Sequence, residues 1–325
     1  MSVSGILCAN LNRLGDFRVQ GLGRGSTRVP ILSRIPKRVR VVEVGPRDGL
    51  QNEPTRVASH NKISFINALS EAGLRVIETT SFVSPKAVPQ MADAGDVMLG
   101  ITPYPGVCYP VLVPNERGYD RARESGCTAI ALFTAASEQF SQKNVNATIA
   151  ETFQRFAPIA QRAREDGVWV RGYVSTATDC PYSGHVDPED AIRVAERLIE
   201  LGCDEVALAD TVGLATPKRL GELLERACAR LPVTRLALHL HDTGGLALAN
   251  VIIGLDYGVT TFDAAAGGLG GCPFAPGAPG NLATERLLKL LHGLGIDTGI
   301  DETRVADAIE QLHAAYPELG RRNAA

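Results

Sequence analysis

The chain has almost no net charge. Its 33 Lys and Arg against 36 Asp and Glu leave a formal charge of −3 over 325 residues. That removes any global electrostatic argument for a nucleic-acid partner. No uninterrupted apolar run approaches the roughly 20 residues a membrane-crossing helix needs, so no membrane partner is expected either. CxxC pairs are missing. The seven cysteines, at positions 8, 108, 127, 180, 203, 228 and 272, are odd in number and scattered. This argues against a disulfide framework or a zinc ribbon, and for free thiols in a reducing compartment. The chain also does not end in the Ser-Lys-Leu peroxisomal address.

What remains is an ordinary globular composition, 45% apolar and 21% charged, long enough to bury a substantial core without staples. The first forty residues differ. Arg13, Arg18, Arg24, Arg28, Arg34, Lys37, Arg38 and Arg40 face a single acid, Asp16. Residues 1–36 read as a flexible basic extension without a sustained helical stripe. An organelle presequence has this composition, which would place the protein in the mitochondrial matrix; the alternative is a cytoplasmic extension.

From Val39 onward, short β-branched runs alternate with amphipathic stretches. Strands are expected at 39–44, 76–80, 109–113, 129–133, 169–175, 205–209, 236–241 and 260–264. Helices are expected at 56–72, 116–125, 148–166, 188–201, 217–230, 246–257 and 281–292, with helical turns around 86–99. Pro188 behind Asp187 and Pro217 behind Thr216 read as capped helix starts. Eight strand–helix repeats over about 250 residues predict an α/β fold, a (β/α)8 TIM barrel, with an open doubly wound sheet as the alternative. No composition shift divides residues 37–325, which are expected to form one catalytic barrel carrying a C-terminal helical tail.

In such a barrel chemistry gathers at the carboxyl ends of the strands. Strand seven ends in His239-Leu-His241-Asp242-Thr243, and period-two alternation points both imidazoles the same way. Taken alone, the pair reads more readily as ordinary core or surface histidines than as ligands. Other strand ends add Arg47 and Asp48 in a Gly/Pro-rich turn, Glu78 within an apolar run, and Asp210. Two imidazoles and a carboxylate with oxygen donors suit a divalent cation of the Mg²⁺ or Mn²⁺ type. A glycine-rich loop, 267–280, surrounds Cys272 and carries neither GxGxxG nor GK[ST]. It reads as a lid bringing the thiol over the metal, or as a structural loop around a buried thiol. Asn281, at the expected start of the next helix, adds an amide oxygen.

The segments Val44-Gly-Pro-Arg-Asp-Gly-Leu-Gln-Asn-Glu53, Ile77–Lys86, Val170-Arg-Gly-Tyr-Val-Ser175, His239–Thr243 and Gly267–Glu285 together resemble the 3-hydroxy-3-methylglutaryl-CoA lyases, in order and spacing, from about residue 39 to about 300. Related homocitrate and isopropylmalate synthases share the Arg-Asp and HxH elements but usually lack the GLGGCP loop ending in GNLATE. The resemblance implies metal-assisted retro-Claisen cleavage of the acyl-CoA thioester (S)-3-hydroxy-3-methylglutaryl-CoA to acetyl-CoA and acetoacetate, with leucine catabolism the expected pathway. It implies Asp48, His239, His241 and Asn281 as metal ligands and Arg47 as donor to the thioester oxygen. Cys272 would serve in proton transfer, Glu78 and Asp210 would orient ligands or relay protons with the choice of base left open, and Glu285 would support the loop. A homodimer is the family's expectation, and the bacterial style of the sequence favours the cytoplasm. Departures are the Thr178–Ser183 segment, the Gly244-Gly245 pair, and the absence of a C-terminal regulatory cysteine. Two alternatives stand beside this reading: a lyase for longer 3-hydroxy-3-alkylglutaryl-CoA thioesters from isoprenoid breakdown, and a catalytically silent metal- or CoA-binding barrel.

Overall fold

The β-branched runs form parallel strands, and the amphipathic stretches between them form the helices that return the chain. The structure, a computed structural model, describes residues 35–271 and 280–320. Its strands are β1 (Arg40–Glu43), β2 (Val76–Ile77), β3 (Thr80–Ser81), β4 (Val111–Leu112), β5 (Ala129–Ala135), β6 (Trp169–Ser175), a short antiparallel pair β7 (Asp179–Cys180) and β8 (Gly184–His185), then β9 (Glu205–Asp210), β10 (Leu236–Leu240) and β11 (Thr261–Ala264). The main sheet runs β2-β1-β11-β10-β9-β6-β5-β4-β3.

Its two edge strands are halves of one stave, interrupted at Glu78 and Thr79. There the Glu78 amide donates to the Glu43 carbonyl at 2.8 Å, while the Ile77 and Thr79 amides donate to Cys108 and Pro110 at 3.0 Å each. Both edges therefore meet on the same stave and the ring closes as a TIM barrel. The open-sheet alternative is excluded.

The helices start where their caps dictate. Asp187 and Thr216 each accept a backbone N–H of the turn they precede, ahead of Pro188–Leu201 and Pro217–Arg230. Thr148 and Glu151 form a reciprocal capping box for Ile149–Glu165. The helical turns expected around 86–99 are the turn Pro89–Met91 and the helix Ala94–Gly100. Other boundaries depart from expectation. A further helix, Glu138–Val145, is capped by Ser137 and ends on left-handed Asn146; its short polar sequence carries no clear apolar period. The helix expected from 281 begins at Thr284. Residues before it are extended, with the Leu282 amide donating to Leu240 and the Ala265 amide donating to Leu282. Helix Glu302–Ala315 packs on Ser59–Glu71.

The large apolar core lies between barrel and helices. Inside the barrel, Leu112, Ala131, Tyr173, Ala207 and Ala237 make a smaller cluster, in which three alanines leave room for the tyrosine ring. One layer towards the strand starts, the interior is ionic. Arg40 pairs with Glu205, and Arg171 pairs with Glu205 at 3.0 Å and Asp263 at 2.6 Å. Such buried charges are tolerated because each has its counterpart in reach. Cys127, Cys180, Cys203 and Cys228 are free thiols as expected, whereas Cys108 is disulfide-bonded. Among the described residues, no helix is long and apolar enough to cross a membrane.

Candidate metal centre and active site

The Gly-Pro-Arg-Asp-Gly sequence after β1 cannot continue as a strand, because Pro46 lacks the donor a ladder requires. It forms a single π-helical turn, Gly45–Gly49. The amides of Arg47, Asp48 and Gly49 converge on the Val44 carbonyl at 3.2, 2.7 and 3.1 Å. Such wide turns are frequent at functional sites. Here it brings two successive side chains to one cavity, Arg47 and Asp48, paired at 2.6 Å. Glu43 clasps the turn from behind: its carboxylate accepts from the Gly45 amide at 2.8 Å, the Ala266 amide at 2.9 Å and the Thr284 hydroxyl at 2.7 Å.

Arg47 is almost fully buried. Its Nε donates to Glu78, whose second oxygen accepts the Tyr173 hydroxyl proton. Tyr173 in turn accepts from Arg171 at 2.9 Å. Burial works against the Arg47 charge, but Glu78 and Asp48 outweigh it and hold the guanidinium protonated above its usual range. The same burial drives the Tyr173 phenol well above its usual range, with Arg171 only partly offsetting it. Tyr173 therefore acts as a neutral donor.

His239 and His241 project side by side, with ring centroids 5.2 Å apart. The ligating atoms of Asp48, His239 and His241 all lie within 4.8 Å of one another. Burial by itself raises the Asp48 carboxyl. Arg47, the two imidazoles and the Asn281 amide reverse that and leave it at about 2, ionised throughout the working range. One carboxylate and two imidazoles on a rim of oxygen donors fit a divalent cation. A cavity of about 170 Å³ opens over them, lined also by Arg47, Tyr173, Ser175 and Thr211. A roomier surface hollow of about 450 Å³, beside Arg193 and Arg197, contains none of these groups.

Asn281 pairs with His241 through an isolated antiparallel bridge, and its amide nitrogen donates to Asp48 Oδ2 at 2.9 Å. It stands at the edge of the ligand cluster from an extended segment, not from a helix start. Glu285 accepts from the Gly267 amide at 3.1 Å, holding the root of the glycine-rich loop. Asp210 is placed differently from the other strand-end acids. Its carboxylate accepts from the Gly213, Leu214 and Ala215 amides at 3.1, 3.3 and 3.0 Å and does not line the cavity. Burial, first, then Asp179 raises it to about 6 against those amides. Cys272 lies outside the described residues. Three polar groups escaped the sequence reading: Arg171, Tyr173 and Asp263. The signal for two of them was the alternation of polar residues, 171, 173 and 175, in an otherwise apolar buried strand.

Fold and site together define a barrel enzyme that gathers an acid–imidazole cluster and a buried arginine at its carboxyl rim. The HMGL-like family matches residues 38–312. The mitochondrial hydroxymethylglutaryl-CoA lyase of Rattus norvegicus is 52% identical over 277 residues, which is 85% of this chain and 85% of the relative. Hydroxymethylglutaryl-CoA lyase from Pseudomonas aeruginosa superposes with a TM-score of 0.86 at 48% identity, covering 90% of this chain and 96% of that one. An HMG-CoA lyase from Acinetobacter baumannii, solved with coenzyme A and 3-methylmalate, superposes with a TM-score of 0.82 at 38% identity over 86% of this chain and 91% of that one. The chain belongs to the HMGL-like family of hydroxymethylglutaryl-CoA lyases, and it is a carbon–carbon lyase.

Proposed function

We propose that the protein cleaves (S)-3-hydroxy-3-methylglutaryl-CoA to acetyl-CoA and acetoacetate with the help of Mg²⁺ or Mn²⁺, in the cytoplasm and in the service of leucine breakdown. The observation that carries this reading is the juxtaposition of Arg47 with the Asp48–His239–His241 cluster across one small cavity. Asp48, His239 and His241 would hold the ion, with Asn281 beside them. When bound, the cation supplies Lewis acidity to the substrate's tertiary alcohol and fixes its orientation.

The remaining chemistry falls to side chains. The hydroxyl proton passes to a rim carboxylate. The bond between the carbinol carbon and the methylene next to the thioester breaks, leaving its electron pair on the thioester enolate. Arg47, whose charge is fixed by Glu78 and Asp48, donates to that enolate oxygen as it becomes anionic. The Cys272 thiol then gives its proton to the enolate carbon, completing acetyl-CoA. Tyr173 and Glu78 hold Arg47 on line, so no reorganisation is needed when charge develops.

The test is an acetoacetate assay on the methylglutaryl thioester after chelation, then with Mg²⁺ restored. Metal-dependent acetoacetate formation is expected. Absence of product in both arms would overturn the activity, and equal product in both would overturn the role of the cation.

A further inference from the structure

Behind the Asp48–His239–His241 cluster lies a second carboxylate, Asp263. His239 Nδ1 is 3.1 Å from Asp263 Oδ2, and Asp263 Oδ1 accepts from Arg171 Nη2 at 2.6 Å. His239 on β10 and Asp263 on β11 are paired in register, so the sheet itself sets their side chains next to each other. Arg171 and Asp263 are buried to 0% and 2% exposure. Arg171 also donates to the Tyr173 hydroxyl at 2.9 Å, and Tyr173 holds Glu78, which holds Arg47. One buried guanidinium thus backs both the imidazole side and the arginine side of the site.

We propose that Asp263, locked by Arg171, is a positioning residue for the metal centre: it accepts the Nδ1 proton of His239 and so reserves the Nε2 lone pair for the ion. The proposal rests on the metal-centre reading above. A neutral imidazole carries its proton on one nitrogen, and the partner of the other nitrogen decides which. An ionised carboxylate only accepts, so Nδ1 must donate to it. The second arm, from Arg171, keeps Asp263 from rotating away.

The arrangement makes a sharp expectation for Asp263→Asn. Arginine is donor-only, so the amide oxygen of the new side chain turns to Arg171 and its NH₂ faces Nδ1. The Nδ1 proton is then displaced, His239 adopts the Nε2–H tautomer, and a proton points where the ion should sit.

Imidazole ¹⁵N spectra of the metal-free full-length protein at pH 8 test this, with the His239 signals assigned by their loss in H239Q. The wild type is expected as the Nδ1–H tautomer and D263N as the Nε2–H tautomer. Mn²⁺ affinity, read by titration calorimetry, is expected to fall about 10- to 100-fold in D263N. A wild type with Nε2–H, or a mixture of tautomers, overturns the proposal, and so does a folded D263N that binds Mn²⁺ as the wild type does. H241A separates the two readings: it should lose Mn²⁺ in either case, and unchanged binding there would sink the metal centre itself. If D263N does not fold, because Arg171 loses a counter-charge, the wild-type tautomer decides. A merely structural Asp263 would lower Tm without moving the tautomer.

Discussion

Gly49 and Gly270 are packed back to back. A side-chain carbon on Gly270 would lie 2.8 Å from the Gly49 Cα, and one on Gly49 would lie 2.7 Å from Leu269 Cβ. The Gly-Pro-Arg-Asp-Gly turn and the root of the cysteine loop thus need glycine for each other's sake. Gly49→Ala is expected to destabilise the fold by about 1–3 kcal/mol through overpacking, and to lower turnover because the turn carries Arg47 and Asp48. Gly293→Ala, where an added carbon would meet nothing within 4 Å, should be neutral or stabilise by about 0.5–1 kcal/mol as a helical position. Urea melts of the two variants make the comparison, and equal effects would remove the packing argument.

Arg47→Met and Cys272→Ala should separate two roles. Loss of a fixed donor to a developing oxyanion lowers kcat by roughly 10²–10³-fold. The thiol variant should also lose most of its turnover while binding Mn²⁺ as the wild type does. Near-normal kcat for Arg47→Met, or collapse of Mn²⁺ affinity for Cys272→Ala, would each cancel the corresponding assignment.

Tyr173→Phe removes one hydroxyl that serves two buried partners, Glu78 and Arg171. Leaving both without it is expected to cost about 1–3 kcal/mol, seen as a lower urea midpoint with an unchanged m-value. Turnover should fall as Glu78 loosens its hold on Arg47. A variant as stable as the wild type would mean that other groups satisfy Glu78 and Arg171.

Glu43 ties stability to pH. Burial, the largest influence, pushes its carboxyl up from 4.5 to about 7 against the amides and hydroxyl that bind it. The folded state therefore binds the proton more tightly than the unfolded state. The resulting stabilisation is complete below about pH 4.5 and is lost as pH rises through about 7. By linkage this amounts to about 3 kcal/mol for this one group. Glu43→Gln should flatten that part of the stability profile, measured by urea melts from pH 5 to 8. A slope unchanged by the substitution would assign it to other residues.

The barrel was legible in the sequence because its signals are local: β-branched runs, capped helices at Pro188 and Pro217, and turns between them. The histidine pair and the strand-end acids were legible for the same reason, since strand alternation gives direction. What escaped depends on closure. Asp263 is unremarkable in Thr-Phe-Asp-Ala until β11 pairs with β10 and puts it beside His239. Arg40 and Glu205 pair only because strands far apart in sequence share a layer. Asp210 looked like the other rim acids, and only the fold of the 213–215 turn turns it to backbone amides. The extended stretch before Thr284, which places Asn281, exists because strand ends at Leu240 and Ala265 recruit it.

Neighbouring residues in a strand diverge to opposite faces, and in an α-helix they lie about 100° apart. The π-helical turn after β1 lets Arg47 and Asp48, adjacent in the chain, enter the same cavity. The two proposed tasks are thereby fixed to a single peptide unit, so their spacing is set by covalent geometry and not by packing. Shortening this turn by one residue would separate the proposed oxyanion donor from the proposed cation ligand even if every side chain of the site were retained.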